Sequence, residues 1–260
     1  MRMKFTIALA FIASMTIFSC SKDKNTDPDP EEDQSGALIA KMTQGLRPED
    51  DTVFVFNYDA QKHITRIINV TDSDTFNAVF NTAGLISSVA LSDGFTYGTF
   101  TYNANNQLIQ GDFTGGTFKY RYTFEYTNGI VSKKNYFTAS SAGELKLFSY
   151  TVYQVTNGNI TGAKEYGSDG SSVRDYTFTF NDEPNIFQPM CLLNWMNYLG
   201  AEDIAGIEKF FNKNLITGMT YTSSPSSVNV TYTYTYNDKK QLSKVVVSSP
   251  SYTDTRQFAY

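Results

Sequence analysis

The chain has few of the residues on which catalytic and metal sites are commonly built. Among 260 residues it has two cysteines, one tryptophan and a single histidine, His63. One histidine excludes a metal site built on several imidazoles, and it would have to serve any Ser-His-Asp or Cys-His arrangement. His63 lies beside Lys62 in a predicted hairpin turn, which favours a solvated turn residue. The sequence therefore predicts no cofactor and no metal.

Basic residues are also few. The 21 Lys and Arg against 26 Asp and Glu give a net charge of −5. Removal of the N-terminal segment described next takes away Arg2 and Lys4, which makes the balance 19 − 26 = −7. An acidic chain is a poor partner for nucleic acid or for an anionic lipid surface, so we expect no nucleic-acid partner.

The N-terminus has the features of an export signal in their usual order. Two basic residues precede an uncharged apolar run, residues 5–18, which is shorter than the roughly 20 residues that a spanning helix needs. The run ends in Ile17-Phe18-Ser19-Cys20, which resembles a bacterial lipobox. The resemblance implies that residues 1–19 are a lipoprotein signal peptide. It also implies that Cys20 is acylated, with palmitate for example, and anchors the chain to the lipid bilayer. The alternative is an ordinary secretory signal followed by an unrelated cysteine.

Residues 20–36 are predicted to be the lipidated Cys20 and a disordered acidic tether. Residues 21–36, SKDKNTDPDPEEDQSG, carry two Lys against six Asp and Glu (2 − 6 = −4) and almost nothing apolar to bury. Their start, Ser21-Lys22-Asp23, is similar to the short signals that follow the lipidated cysteine in surface-exposed lipoproteins of Bacteroidetes. That similarity implies a lipid-anchored protein of the outer membrane, on the cell surface of a Gram-negative bacterium.

One pattern recurs through residues 37–260, which we interpret as a single β-repeat domain. An aromatic-x-aromatic segment is followed by Asn or Asp, a short polar turn, and then Leu or Ile. The marker aromatics are spaced by 22, 22, 24, 27, 27, 31 and 25 residues, a period typical of repeat architectures. These markers are Tyr58, Phe80, Tyr102, Tyr126, Tyr153, Phe180, Phe211 and Tyr236.

Each repeat is predicted to form one antiparallel β-hairpin. In residues 119–126 strict alternation places four aromatic side chains on one face and polar ones on the other, as in strands with one face in a core. Asn128-Gly129 and Asn157-Gly158 favour type I′ turns, and Asn181-Asp182 indicates a less decisive one. Eight hairpins give about 14 to 16 strands. The predicted fold class is all-β: a large antiparallel up-and-down meander of hairpin repeats that curls toward a barrel.

One repeat is interrupted by a predicted helical insert, residues 186–211, with its helix at about 188–211. Leu192, Trp195, Met196 and Leu199 follow helical spacing. We expect the insert to cap or plug the apolar concavity of the sheet. Trp195 and Tyr198 are the candidate ligand-binding pair, because exposed Trp and Tyr rings stack on sugars; packing in the core is the alternative.

The repeats resemble YD (Rhs-type) repeats, most closely at residues 57–64 and 236–242. Over residues 50–260, with the lipobox and the insert, the chain resembles an uncharacterised Bacteroidetes lipoprotein family with a porin-like β fold. The resemblance implies a large antiparallel meander that curls toward a barrel, and it points to no particular activity. A lipid-facing strand face must be continuously apolar. Segments such as residues 132–135 and 162–165 are polar on both faces, so we expect a sheet that lies outside the bilayer.

These features predict a non-enzymatic, lipid-anchored binding protein of the outer membrane or cell surface whose ligand is a glycan or another nutrient polymer. The alternative is a structural or adaptor lipoprotein that docks on an outer-membrane protein through an exposed sheet edge. A glycoside hydrolase comes third, because it needs two facing carboxylates. Its candidates are Glu49-Asp50-Asp51, Asp72 with Asp74, and Glu202-Asp203.

Overall fold

The computed structural model describes residues 38–45, 51–115, 118–140, 143–187, 211–223 and 226–260. The predicted signal peptide, Cys20 and the tether lie outside the described residues. Trp195, Tyr198 and most of the predicted helix also lie outside them. The described residues include only the two flanks of the predicted insert, residues 186–187 and residue 211. Within the described ranges no helix is long and apolar enough to cross a membrane.

The described chain forms sixteen strands, each paired antiparallel with its neighbour in sequence, and β1 also pairs with β16. The predicted all-β meander is therefore confirmed, and it closes into a barrel. Closure removes the free sheet edge through which the adaptor alternative would dock. The strands are β1 Lys41–Gly45, β2 Thr52–Tyr58, β3 Ile64–Asn69, β4 Asp74–Phe80, β5 Ile86–Leu91, β6 Thr96–Tyr102, β7 Leu108–Gly115, β8 Phe118–Thr127, β9 Ile130–Ser140, β10 Lys146–Thr156, β11 Asn159–Gly167, β12 Ser172–Pro184, β13 Asn214–Ser223, β14 Ser226–Tyr236, β15 Leu242–Ser248 and β16 Thr253–Ala259.

The apolar face of the strands points into the barrel. In β14, Val230 and Tyr232 are buried whereas Thr231 and Thr233 are exposed, as the period-2 pattern predicts. Every strand contributes at least one buried apolar side chain to a single core cluster. The aromatic repeat is thus the sequence signature of the barrel interior.

The outer face of β7 to β9 carries cross-strand ion pairs. Arg121 Nε lies 2.5 Å from Asp112 Oδ1, and Lys133 Nζ lies 3.2 Å from Glu125 Oε1. A membrane-spanning barrel has the reverse arrangement, with a continuous apolar band facing lipid.

Six of the hairpins contain a β-bulge in their second strand, one residue after the first buried aliphatic residue of that strand. The extra residue of the bulge shifts the alternation, so this aliphatic residue and the residue three positions later both face inward. In five hairpins the bulged residue is Ser or Thr, whose hydroxyl donates to a carbonyl oxygen of the partner strand at 3.0 to 3.4 Å. These residues are Thr65, Ser87, Ser132, Thr161 and Ser243.

The predicted hairpin dipeptides are confirmed with one exception. Asn128 and Gly129 have φ of 52° and 78°, and Asn157 and Gly158 have φ of 53° and 82°, as a type I′ turn requires. The prediction of a turn at Asn181-Asp182 is wrong. Strand β12 continues through these residues to Pro184, because Pro184 pairs with Asn214 on the far side of the insert.

Candidate functional site

A cavity of about 230 Å³ lies on the inner face of strands β8 to β12. Its lining residues on each strand are two positions apart, so all of them belong to the inward-facing set. Aromatic, hydroxyl and charged side chains are combined in this lining, which makes the cavity the best candidate site in the described part of the chain. The residues are Tyr122, Lys134, Tyr136, Ser149, Thr151, Ala163, Glu165, Arg174, Tyr176 and Phe178.

The repeat bulges bring charged side chains into this interior. The bulge at Ser132 leaves Val131 and Lys134 facing inward and turns Lys133 outward to Glu125. The bulge at Thr161 acts in the same way on β11, where Ala163 and Glu165 reach the cavity. In the sequence these polar residues seem to cover both faces of the strands. The bulges determine which of them face the interior and which face solvent.

Aromatic rings form one wall of the cavity. Tyr122 and Tyr136 are stacked, with centroids 4.9 Å apart and planes inclined by 18°. Lys134 Nζ lies 5.7 Å from the centroid of Tyr122. Phe148, at a bulge in β10, packs edge-on against Tyr136 at 5.7 Å and is 60% exposed. The wall thus extends from the interior to the solvent.

The opposite wall holds a network of Glu165, Arg174 and Tyr176. Glu165 and Arg174 are register partners on β11 and β12, and the Tyr176 hydroxyl donates to Glu165 Oε2 at 3.2 Å. Burial raises the pKa of Tyr176 to about 12, so its hydroxyl remains a neutral donor at physiological pH. The Tyr176 hydroxyl and the Glu165 carboxylate raise the pKa of Arg174, which stays cationic. The network can therefore both donate and accept hydrogen bonds.

The sequence-predicted site residues that the structure describes have local roles. His63 Nδ1 lies 3.1 Å from Asp59 Oδ2 in the β2–β3 turn, and the His63 side chain is 43% exposed, which confirms a solvated turn residue. Asp72 accepts a hydrogen bond of 2.7 Å from Asn69 Nδ2 in the β3–β4 turn. Among the described residues no group of three or more His, Cys, Asp and Glu could hold a metal ion.

The flanks of the predicted insert contact the barrel interior. Phe187 follows β12, and its ring centroid lies 5.6 Å from that of Phe258 in β16. Phe211 precedes β13, and its ring centroid lies 5.1 Å from that of Phe124 in β8. Asn212 holds the returning chain, because its buried Oδ1 accepts a hydrogen bond of 2.7 Å from the backbone nitrogen of Ile160. Residues 188–210, with Trp195 and Tyr198, lie outside the described ranges.

Two crystal structures share this fold. The chain is similar to a porin-like protein from Bacteroides vulgatus, with a TM-score of 0.57 and 11% identity over 85% of this chain and 98% of that one. It is also similar to a porin-like protein from Bacteroides uniformis, with a TM-score of 0.53 and 14% identity over 85% of this chain and 97% of that one. No protein-family model matches the sequence, and no curated protein matches it significantly. The shared feature is the fold, a large antiparallel β-barrel.

Proposed function

We propose that the protein is a lipid-anchored barrel of the outer membrane whose inner cavity binds a saccharide. The observation that carries the proposal is the lining of that cavity. The aromatic wall formed by Tyr122, Tyr136 and the 60% exposed Phe148 offers an apolar surface to a sugar ring. The Glu165, Arg174 and Tyr176 network offers donors and acceptors to its hydroxyl groups.

The polar outer surface supports a location outside the lipid core. Outward-facing ion pairs on β7 to β9 are unsuited to a surface in contact with lipid, so attachment would depend on acylated Cys20 and the tether. The acidic tether would hold the barrel away from an anionic headgroup surface. Trp195 and Tyr198 remain candidate contacts from the insert, whose flanks reach the barrel interior.

Binding has more support than the two other functions. The sixteen described strands form a closed sheet that offers no edge strand to an outer-membrane partner, so an adaptor would need another surface. A glycosidase needs two carboxyl groups across the scissile bond, and Glu165 is the one carboxylate among the described lining residues.

The test is isothermal titration of glycans into the full-length chain in mild detergent, after a glycan-array screen. We expect saturable binding that Tyr122→Ala weakens by about tenfold, since an aromatic contact contributes about 1 kcal/mol beyond the area it buries. The matched control is Tyr150→Ala. Tyr150 stacks on Tyr166 at 5.0 Å and alternates with the cavity residues Ser149 and Thr151, so it faces outward. Absence of binding to every glycan, or equal loss in both variants, would contradict the proposal.

A further inference from the structure

The cavity lies toward one end of the barrel. Strands β8, β10 and β12 begin at the same end, which we call the cavity end, and β12 ends at the opposite end, the insert end. On each strand the lining residues extend from about the middle of the strand toward the cavity end. Arg174, for example, lies near the start of β12 and is exposed. The cavity therefore opens to solvent at the cavity end.

Toward the insert end the cavity has a floor of buried side chains. On four of its strands the next inward-facing residue is at most 8% exposed: Phe124 of β8, Val131 of β9, Tyr153 of β10 and Ile160 of β11. Phe211 packs on the insert side of this floor, with its ring centroid 5.1 Å from that of Phe124 and 6.5 Å from that of Tyr126. Buried side chains pack without passages between them. A glycan chain that enters this cavity therefore cannot pass on through the described part of the barrel.

The size of the cavity limits how much of a glycan it can hold. Pockets for drug-sized ligands have volumes of about 300 to 1,000 Å³. The cavity, at about 230 Å³, is smaller than these pockets and suits one sugar unit rather than an oligosaccharide. The other units of a bound chain would then extend into solvent at the cavity end.

Phe148 lies where a second sugar unit would emerge. Its ring centroid is 5.7 Å from that of Tyr136, a distance similar to the length of one pyranose unit, and Phe148 is 60% exposed. The bulge in β10 places it directly before the lining residue Ser149. Its carbonyl oxygen accepts a hydrogen bond of 3.1 Å from the backbone nitrogen of Ser168, which holds this part of β10 against the β11–β12 turn. An exposed ring on a fixed backbone can stack on a sugar at the opening.

We propose that the cavity recognises the end of a glycan chain: the terminal sugar fills the cavity, and Phe148 contacts the second sugar. The inference rests on the proposed saccharide binding and adds the part of the chain that is bound. It also assigns a distinct role to Phe148, because contact with the second sugar affects ligands of two units or more and leaves single sugars unaffected.

The first experiment measures affinity against chain length. The probe is the glycan with the strongest signal in the array screen, titrated as oligosaccharides of one to four units into the full-length chain in mild detergent. We expect affinity to rise about fivefold from one unit to two, because an aromatic contact is added, and to stay constant thereafter. Phe148→Ala should remove this rise and leave the affinity for the single unit unchanged. The matched control is Phe95→Ala, which removes a 42% exposed ring from the β5–β6 turn, outside the cavity lining. Thermal melts check that both variants are folded.

The second experiment blocks the ends of the four-unit ligand. A bulky fluorophore is attached to the first unit in one derivative and to the last unit in the other. We expect one derivative to lose about tenfold or more in affinity, because its blocked end cannot enter a cavity of this size, whereas the other binds as the free ligand does. The derivative that loses affinity identifies which end of the chain is recognised.

Each outcome decides one question. Affinity that keeps rising from two units to four, or two blocked derivatives that behave alike, overturns chain-end recognition and leaves saccharide binding in place. No rise at two units, or a rise that Phe148→Ala leaves intact, overturns the contact with Phe148. Binding of none of the ligands, with no glycan bound in the array screen, overturns both proposals.

Discussion

The hydroxyl of Tyr126, at the end of β8, donates a hydrogen bond of 2.7 Å to the carbonyl oxygen of Leu108, at the start of β7. The bond joins one hairpin to the hairpin before it, and it recurs at a sequence separation of 16 to 19 residues around the barrel. In the last hairpin Tyr234 makes it instead of the marker residue Tyr236. The pairs are Tyr58 with Ile39, Tyr102 with Ile86, Tyr126 with Leu108, Tyr234 with Ile216, and Tyr260 with Leu242.

Removal of one of these hydroxyl groups should destabilise the barrel. Tyr126→Phe keeps the ring and leaves the Leu108 carbonyl without this donor, so we expect a loss of about 1 kcal/mol in the free energy of unfolding. Denaturant titration followed by circular dichroism measures it. Tyr150→Phe removes a hydroxyl from the outer face and should cost less. Equal stability of the two variants would show that the recurrent bond contributes nothing.

The same tyrosines predict alkaline unfolding. Burial raises the pKa of Tyr58 and of Tyr102 from 10.0 to about 12. The folded state therefore retains these protons at a pH where the unfolded chain has lost them. The associated stability is complete below pH 10 and is lost as the pH rises toward 12. Tyrosinate absorbance and circular dichroism, recorded together against pH, should change in one cooperative step. Ionisation of all tyrosines near pH 10 with the fold intact would refute the prediction.

Gly98 and Gly111 make room for the ring of Phe113. A Cβ at Gly98 would lie 2.9 Å from Phe113 Cε1, and a Cβ at Gly111 would lie 3.0 Å from Phe113 Cε2. The ring cannot move easily, because it is buried and stacks on Tyr120 at 5.0 Å. Gly98→Ala should therefore cost about 1 to 3 kcal/mol. In a Phe113→Leu background the same change should cost clearly less, which a double-mutant cycle measures. Additive costs would exclude the steric explanation.

The sequence predicted the strands well because the aromatic repeat carries both the period of the hairpins and the face that each strand buries. It predicted type I′ turns at Asn128-Gly129 and Asn157-Gly158 because few dipeptides tolerate two successive positive φ angles. The closure of the barrel could not be predicted from the sequence. The pairing of β1 with β16 joins residues more than 200 positions apart and leaves no local sequence pattern.

The cavity was missed for a different reason. Lys134 and Glu165 lie in segments whose sequence is polar on both faces, and strict alternation continued through the bulges assigns these residues to the wrong face. Part of the signal is present in the sequence, because Arg174 alternates in step with Tyr176 and Phe178, two aromatic residues that the period-2 pattern indicates to be buried. A charged residue in phase with a buried aromatic set is the feature that indicates an interior site.

Lipidation can be tested at Cys20. In a Gram-negative host, Cys20→Ser should abolish labelling by a palmitate analogue and release the chain from the membrane fraction, because about 0.8 kcal/mol of binding free energy per buried methylene would be lost. Ser19→Ala is the control, since it keeps a small residue before the cysteine. Continued membrane association of an unlabelled Cys20→Ser chain would show that the barrel itself binds the membrane.

The single tryptophan offers a probe of the insert. If Trp195 contacts the ligand or moves when the cavity fills, saturating glycan should change its fluorescence intensity with the same dissociation constant that titration calorimetry gives. Trp195→Phe then removes the signal, and a change in affinity shows whether the ring itself contacts the sugar. Tyr198→Ala tests the second candidate in the same assay. Binding by calorimetry with no fluorescence change would place the ligand away from Trp195 and restrict the site to strands β8 to β12.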